Sequence, residues 1–227
     1  MTPLKWARSP AAALGLALSC PALWPGALAA EPAAAGDAPW PSSQWIDPVA
    51  AWATATGDNQ DLPFAVIDKR TAQLAVYDSH GRLRGIAPVL VGSALGDDSA
   101  PGVGDRALAD IAPEDRTTPA GRFLGGFGPA TDGSTVLWVD YATAISLHPL
   151  VDTNRAERRP ERLLSPTADD NRITFGCINV AGGFYDDVVE PTFARGGVFY
   201  VLPETVPVEV AFPGLGPESE TMAAAGP

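Results

Sequence analysis

Cysteine is scarce in this chain of 227 residues: there are two, Cys20 and Cys177. Histidine is equally scarce, with only His80 and His148. Basic residues are few, 15 Lys and Arg against 27 Asp and Glu, for a formal net charge of −12. Beyond the first thirty residues no run is apolar and long enough to span a bilayer. These shortages exclude several classes. An acidic chain is a poor partner for nucleic acid or anionic lipid. The expected mature chain has no membrane span, and no metal or cofactor is called for.

The beginning reads as a targeting segment. Lys5 and Arg8 precede the uncharged apolar run 11–23, and Ala27-Leu28-Ala29 offers a small-x-small cleavage site. A signal peptide over 1–29 implies a periplasmic or otherwise exported protein. Lipidation at Cys20 is the alternative, but Leu18 stands where a small residue is usual. Cleavage after Ala29 leaves 227 − 29 = 198 residues with charge 13 − 27 = −14. Cys177 is then alone and no internal disulfide can form. A lone cysteine is by itself more often a small buried hydrophobe than a reagent, although an unpaired thiol in an oxidising compartment is a liability unless it has a use.

The segment 30–61 is predicted as an Ala/Pro-rich linker with a short helix. Asp47-Pro48 suggests its N-cap and first turn, Gly57 its end, and Trp40, Trp45 and Trp52 dock it on the domain. The domain proper is predicted over 62–212, with strands near 64–67, 73–77, 83–91, 122–127, 135–139, 144–147, 198–202 and 206–212. One substantial helix is expected over 184–193, ended or interrupted near Pro191. The long loop 92–117 contains Asp97, Asp98, Asp105 and Asp110. It lacks a calcium-ligand spacing and reads as a solvated acidic loop. The polar stretch 150–171 is rich in arginine, and the tail 213–227 reads as disordered. The fold class is mainly β.

The chemistry concentrates in Ile173-Thr174-Phe175-Gly176-Cys177-Ile178-Asn179 and in His148, at the end of a predicted strand. A thiol becomes a nucleophile when an imidazole takes its proton. A helix beginning just after Cys177 would add its positive end, Gly176 would let substrate approach the backbone, and backbone N–H groups there could hold an oxyanion.

Thr174, Gly176, Cys177, Ile178 and Asn179 resemble the signature of the L,D-transpeptidase (YkuD-like) catalytic domain: Ser/Thr, His, Gly, Cys, a hydrophobic residue, then Asn or Arg. His148 stands where that family has its base. Thr118-Pro119-Ala120-Gly121-Arg122-Phe123 and the opening hairpin Val66 to Tyr77 resemble it further. The resemblance covers about residues 62–202. It implies a β-sandwich domain with a helix after the catalytic cysteine, and an enzyme acting on peptidoglycan stem tetrapeptides. Cys177 would form a thioester, Gly176 and Cys177 N–H groups would hold the oxyanion, and Thr174 and Asn179 would line the site. The acyl group would pass to an amine, giving a 3→3 cross-link, or to water. A hydrolase releasing wall-attached groups and a non-catalytic wall-binding module are the alternatives.

Two departures stand out. Phe175 replaces the usual histidine, and 29 positions separate His148 from Cys177, more than is usual. Within the extra segment lie Arg155, Arg158, Arg159 and Arg162. The resemblance suggests that they bind stem carboxylates, which arginine takes bidentately. Self-pairing with Glu157 and Glu161 is the plainer reading.

Overall fold

The structure, a computed structural model, describes residues 42–130 and 133–215. The predicted signal peptide, Cys20, Trp40 and residues 216–227 lie outside the described residues.

The chain runs through helix α1 (Ile46–Thr56), strands β1 (Phe64–Asp68), β2 (Gln73–Tyr77), β3 (Leu83–Pro88) and β4 (Val91–Gly92), then a loop of short 3-10 turns. Strands β5 (Gly121–Pro129), β6 (Thr135–Asp140) and β7 (Ile145–Pro149) follow. Next come helix α2 (Arg159–Leu163), β8 (Arg172–Thr174) and β9 (Ile178–Val180). Helix α3 (Gly182–Phe184) continues through a π-helical turn, Tyr185–Val189, into α4 (Glu190–Thr192), before β10 (Gly197–Leu202) and α5 (Val208–Ala211). Eight strands form one sheet, in the order β3-β2-β1-β10-β5-β6-β7-β9, and β4 pairs with β8. The fold is mainly β, with helices after the strand that follows Cys177, as expected.

Strands β1, β2 and β10 are buried along their whole length. Their sequences are near-continuous apolar runs because both faces are covered. Alternation sorts the side chains: Ala65, Ile67, Leu74, Val76, Phe199 and Val201 enter one core, shared with Leu137, Leu147 and Ile178 from the other half of the sheet. Phe64, Val66, Tyr77, Val198 and Tyr200 enter a second core with Ile46, Val49 and Ala53 of α1. Trp45 and Trp52 pack against this second core, and Trp52 meets the rings of Tyr200 and Phe212. Strand β5 joins the halves, its first residues pairing with β10 and its last with β6. At the changeover a Cβ on Gly125 would lie 2.2 Å from the Trp138 carbonyl oxygen, so no larger residue fits without moving backbone.

Several local expectations differ. The cap of α1 is Trp45, and Ser43 Oγ accepts from the Trp45 and Ile46 N–H groups at 3.1 and 3.3 Å. Asp47 instead takes the Tyr77 hydroxyl. The stretch expected as a strand over 206–212 forms α5, because Val208 and Phe212, four apart, are the pair it buries while Val210 is exposed. The helix before Pro191 is not ended but widened into the π turn, which accommodates a residue with no N–H to donate.

Asp97 is not solvated. Its carboxylate accepts from Lys69 Nζ (2.9 Å), the Glu204 and Thr205 N–H groups (2.7 and 2.8 Å) and the Thr205 hydroxyl. Burial alone would push its pKa up, but the Thr205, Glu204 and Lys69 hydrogen bonds outweigh that and hold it well below the usual carboxylate range. A depressed native pKa adds stability that is present above the unfolded value, about 3.9, and lost as pH falls through the native one. Asp97→Asn should therefore lower stability at neutral pH and flatten its decline in the acid limb, as followed by denaturant titrations from pH 6 downward. An acid limb as steep as the parent's would show that other carboxylates govern it.

Candidate active site

Twenty-nine positions separate His148 from Cys177, yet pairing between neighbouring strands brings them together. Strand β7 runs parallel to β9, with Leu147 opposite Ile178 and His148 opposite Asn179. Parallel neighbours need a crossover of a dozen or more residues, and the segment 150–177 is that crossover. One step back along the register, Ser146 comes level with Cys177. Period two along β7 places Ser146 and His148 on one face, the face that meets the thiol.

Cys177 Sγ lies 3.5 Å from Ser146 Oγ and 3.7 Å from the Ala144 carbonyl oxygen. His148 Nδ1 is 2.8 Å from the Pro149 carbonyl oxygen, and Nε2 is 2.9 Å from Asn179 Nδ2. Thiol and imidazole shift each other's titration. Burial favours the neutral thiol, but hydrogen bonding from His148 and from the Ser146 side chain and backbone, with the His148 charge, brings the Cys177 pKa below its ordinary value. Burial likewise favours neutral His148, and the hydrogen bond and charge of Cys177, with the Pro149 carbonyl, outweigh it and raise the imidazole pKa. Arg159 opposes that rise. Both shifts favour a thiolate beside an imidazolium.

The helix after Cys177 plays no part in this. Strand β9 intervenes, and α3 begins only at Gly182, so its N-terminus does not face the thiol. The acidifying groups are His148 and Ser146. Ser146 belongs to no motif, and only its position two before a strand histidine signals that it shares that histidine's face.

Gly176 is required by crowding of the protein on itself. Its φ is +127°, and a Cβ there would sit 2.8 Å from the Thr117 carbonyl oxygen and 2.7 Å from Ile145 Cδ1. Its N–H donates to Thr174 Oγ1 at 3.1 Å, and the same hydroxyl donates to the Cys177 carbonyl at 2.6 Å. Buried Thr174 is thus a brace within the nucleophile loop rather than a group facing substrate. The Gly176 N–H is already engaged, which leaves the Cys177 N–H for an oxyanion.

A second brace comes from Thr118. Its Oγ1 accepts from Gly92 N–H (2.8 Å) and donates to the Gly176 carbonyl (2.7 Å), all in the interior. Thr118→Val keeps the shape and strands a buried N–H and C=O, at about 1–3 kcal/mol for each group. We expect a clear drop in Tm and slower alkylation of Cys177, with Thr118→Ser close to the parent in both. A valine variant indistinguishable from the parent would show that the hydroxyl does not hold the loop.

A small cavity of about 60 Å³ adjoins Cys177, walled in part by Val103, Leu108, Ile111, Ile145 and Phe175. Phe175 stands on this wall, with the Arg116 guanidinium 4.1 Å above its ring. Much of the wall comes from the loop 92–117, and none from the arginine-rich segment.

The four arginines have different surroundings. Arg155 is exposed, and Arg158 is 71 % exposed beside Glu161. Arg162 donates to the Glu157 and Asp170 carbonyls and holds its own segment together. Arg159 alone of the four reaches the site: it pairs with Glu157 and donates from Nη1 to Asn179 Oδ1 at 3.2 Å. His80 lies exposed in a turn, next to Ser79. Among the described residues no group of three or more His, Cys, Asp or Glu is placed to hold a metal. Nor is any helix there long and apolar enough to cross a membrane.

No known family profile and no curated protein matches the chain. Among solved structures it is similar to the helical cell shape determining protein Pgp2 from Campylobacter jejuni, at 16 % identity and TM-score 0.44, over 68 % of this chain and 55 % of that one. It is similar also to an L,D-transpeptidase from Xylanimonas cellulosilytica, at 14 % identity and TM-score 0.37, over 62 % and 60 % of the two chains. A third is the catalytic domain of the E. faecium L,D-transpeptidase, at 17 % identity and TM-score 0.35, over 63 % and 98 %. The chain thus spans little more than half the length of the Campylobacter protein. Likeness at this level says nothing of substrate or reaction.

Proposed function

We propose that this chain is an exported, cysteine-dependent acyltransferase of the L,D-transpeptidase kind, acting on peptidoglycan stem tetrapeptides. One observation carries the reading. A half-buried thiol, beside a cavity and within the Thr-Phe-Gly-Cys-Ile-Asn sequence that resembles that family's signature, interacts with an imidazole whose Nδ1 is fixed by a backbone carbonyl.

The chemistry follows from these groups. The Pro149 carbonyl accepts the Nδ1 proton, so Nε2 is the basic edge. Nε2 takes the Cys177 proton, and Sγ adds to the carbonyl carbon of the bond between the diamino acid and terminal D-alanine. The Cys177 N–H holds the oxyanion. His148 returns the proton to the departing amine, D-alanine leaves, and a thioester remains. An acceptor amine or water then attacks, losing a proton to His148, and the thiolate departs. No cofactor takes part in this scheme.

The test is incubation with purified stem tetrapeptides, read by mass spectrometry, alongside acylation by a carbapenem-type β-lactam, read as intact protein mass. We expect loss of D-alanine from the peptide and a covalent adduct on Cys177. Absence of both would reject the reading in favour of a non-catalytic binding module.

A further inference from the structure

The amide of Asn179 stands between two groups that make opposite demands on it. Arg159 can only donate, so the Asn179 atom 3.2 Å from its Nη1 is Oδ1. The Nδ2 group therefore faces His148 Nε2, at 2.9 Å. Since Nδ2 also can only donate, Nε2 must be an unprotonated acceptor, and the ring proton sits on Nδ1 against the Pro149 carbonyl. This amide orientation suits the neutral ring and opposes the imidazolium that the hydrogen bond and charge of Cys177 favour.

Catalysis requires the other state. Once Nε2 has taken the thiol proton, its N–H points at an NH2 group, donor against donor. Turning the amide through 180° would offer Oδ1 to the imidazolium, but would set Nδ2 against the Arg159 cation. The amide can therefore satisfy Arg159 or the imidazolium, not both. The charged groups around the ring are Cys177, across from β7, and Arg159 of α2, the latter tied to Glu157. Arg159 Nη2 makes no hydrogen bond among the described residues, and its side chain is 15 % exposed. A carboxylate could be received there bidentately.

We propose that Arg159, acting through Asn179, is a positioning residue that opposes protonation of His148 until a carboxylate of the substrate draws the guanidinium away. Release lets the amide turn, and Oδ1 then stabilises the imidazolium beside the Cys177 thiolate. The balance is one proton moved from Sγ to Nε2. Only the identity of the carboxylate, on a stem peptide, rests on the acyl-transfer reading.

The test follows His148 by nitrogen NMR in the full chain carrying Cys177→Ala. The two histidines give separable ring signals, and His80 serves as an internal control of folding. Arg159→Met should move the His148 titration to higher pH, and Asn179→Asp should do the same by facing the ring with an acceptor. In an Asn179→Leu background the Arg159→Met step should shrink markedly. A step equally large without the amide would show that Arg159 acts only as a charge through space, and would overturn the proposal. With Cys177 present, Arg159→Met should speed iodoacetamide alkylation at pH 6 by about fivefold, through a larger thiolate fraction. An unchanged or slower rate overturns the proposal as well.

The release step is tested by adding a stem tetrapeptide, with its diamino-acid carboxylate free or amidated, to the Cys177→Ala chain. Binding is read from the backbone amides, independently of His148. The free acid should raise the His148 titration and the amide should not. Binding without that difference refutes release. No binding at all refutes the substrate reading and the release step with it, while the Arg159 and Asn179 variants still decide the lock.

Discussion

Cys177→Ala should abolish both stem-peptide turnover and β-lactam acylation, a loss of about four orders of magnitude or more in kcat, and leave the fold standing. The thiol is the one group at the cavity mouth that can become a good nucleophile near neutral pH, since His148 and Ser146 lower its pKa against the effect of burial. Its packing role is small by comparison. Sγ is only partly buried, and its contacts with Ser146 Oγ and the Ala144 carbonyl are long, at 3.5 and 3.7 Å. Removing it should cost about 1 kcal/mol of stability, as for an ordinary hydrogen bond. Cys177→Ser is the sharper comparison, because it keeps the shape and changes only the acidity of the group. It too should fail, with Tm near the parent's. Turnover retained in either variant would reject Cys177 as the nucleophile.

Lys69→Met should be the most destabilising single change among those considered, at about 3–5 kcal/mol, as for breaking one partner out of a buried ion pair. Lys69 is fully buried, and its three ammonium protons have three acceptors: the Gly96 carbonyl (2.6 Å), Asp97 Oδ1 (2.9 Å) and the Thr118 carbonyl (2.8 Å). Glu204 lies 3.5 Å away and is paired in turn with Arg172 of β8. Two cations and two anions thus balance in the interior, and methionine fills the volume while leaving Asp97 and Glu204 with a single cation. For a domain of this size that energy corresponds to a fall in Tm of roughly 10 °C. The effect should reach the site, since the same cluster fixes Thr118 and β8, which together hold the nucleophile loop. Thermal unfolding and alkylation of Cys177 would measure the two consequences. A loss below about 1 kcal/mol, the range of exposed pairs, would show that water replaces the ammonium.

The strands show how far pattern reading goes. Phe64 to Tyr77 and Gly197 to Leu202 are legible because apolar, β-branched and aromatic residues between Gly/Asp turns allow little else. The segment 206–212 has the same local look, yet it winds into α5. Its Val208 and Phe212 have a core to fill on one side only, and helical spacing fills it.

Which atoms can do chemistry is legible along the chain: one thiol beyond the predicted signal, one strand histidine, and the glycine before the thiol. So is the mainly β character of the chain. How those atoms are used depends on contacts made in three dimensions. The parallel register of β7 and β9 made the 29-residue gap irrelevant and brought Ser146 to the sulfur. Crowding by Thr117 and Ile145, distant in the chain, is what Gly176 answers. Of four arginines only Arg159 meets Asn179, and Asp97 is a half-buried anchor for Lys69 rather than a solvated acid. Periodicity and propensity act over a few neighbouring residues and can be read along the chain. Hydrogen bonds and ion pairs between residues far apart in the chain depend on strand register and loop closure, which no local pattern encodes.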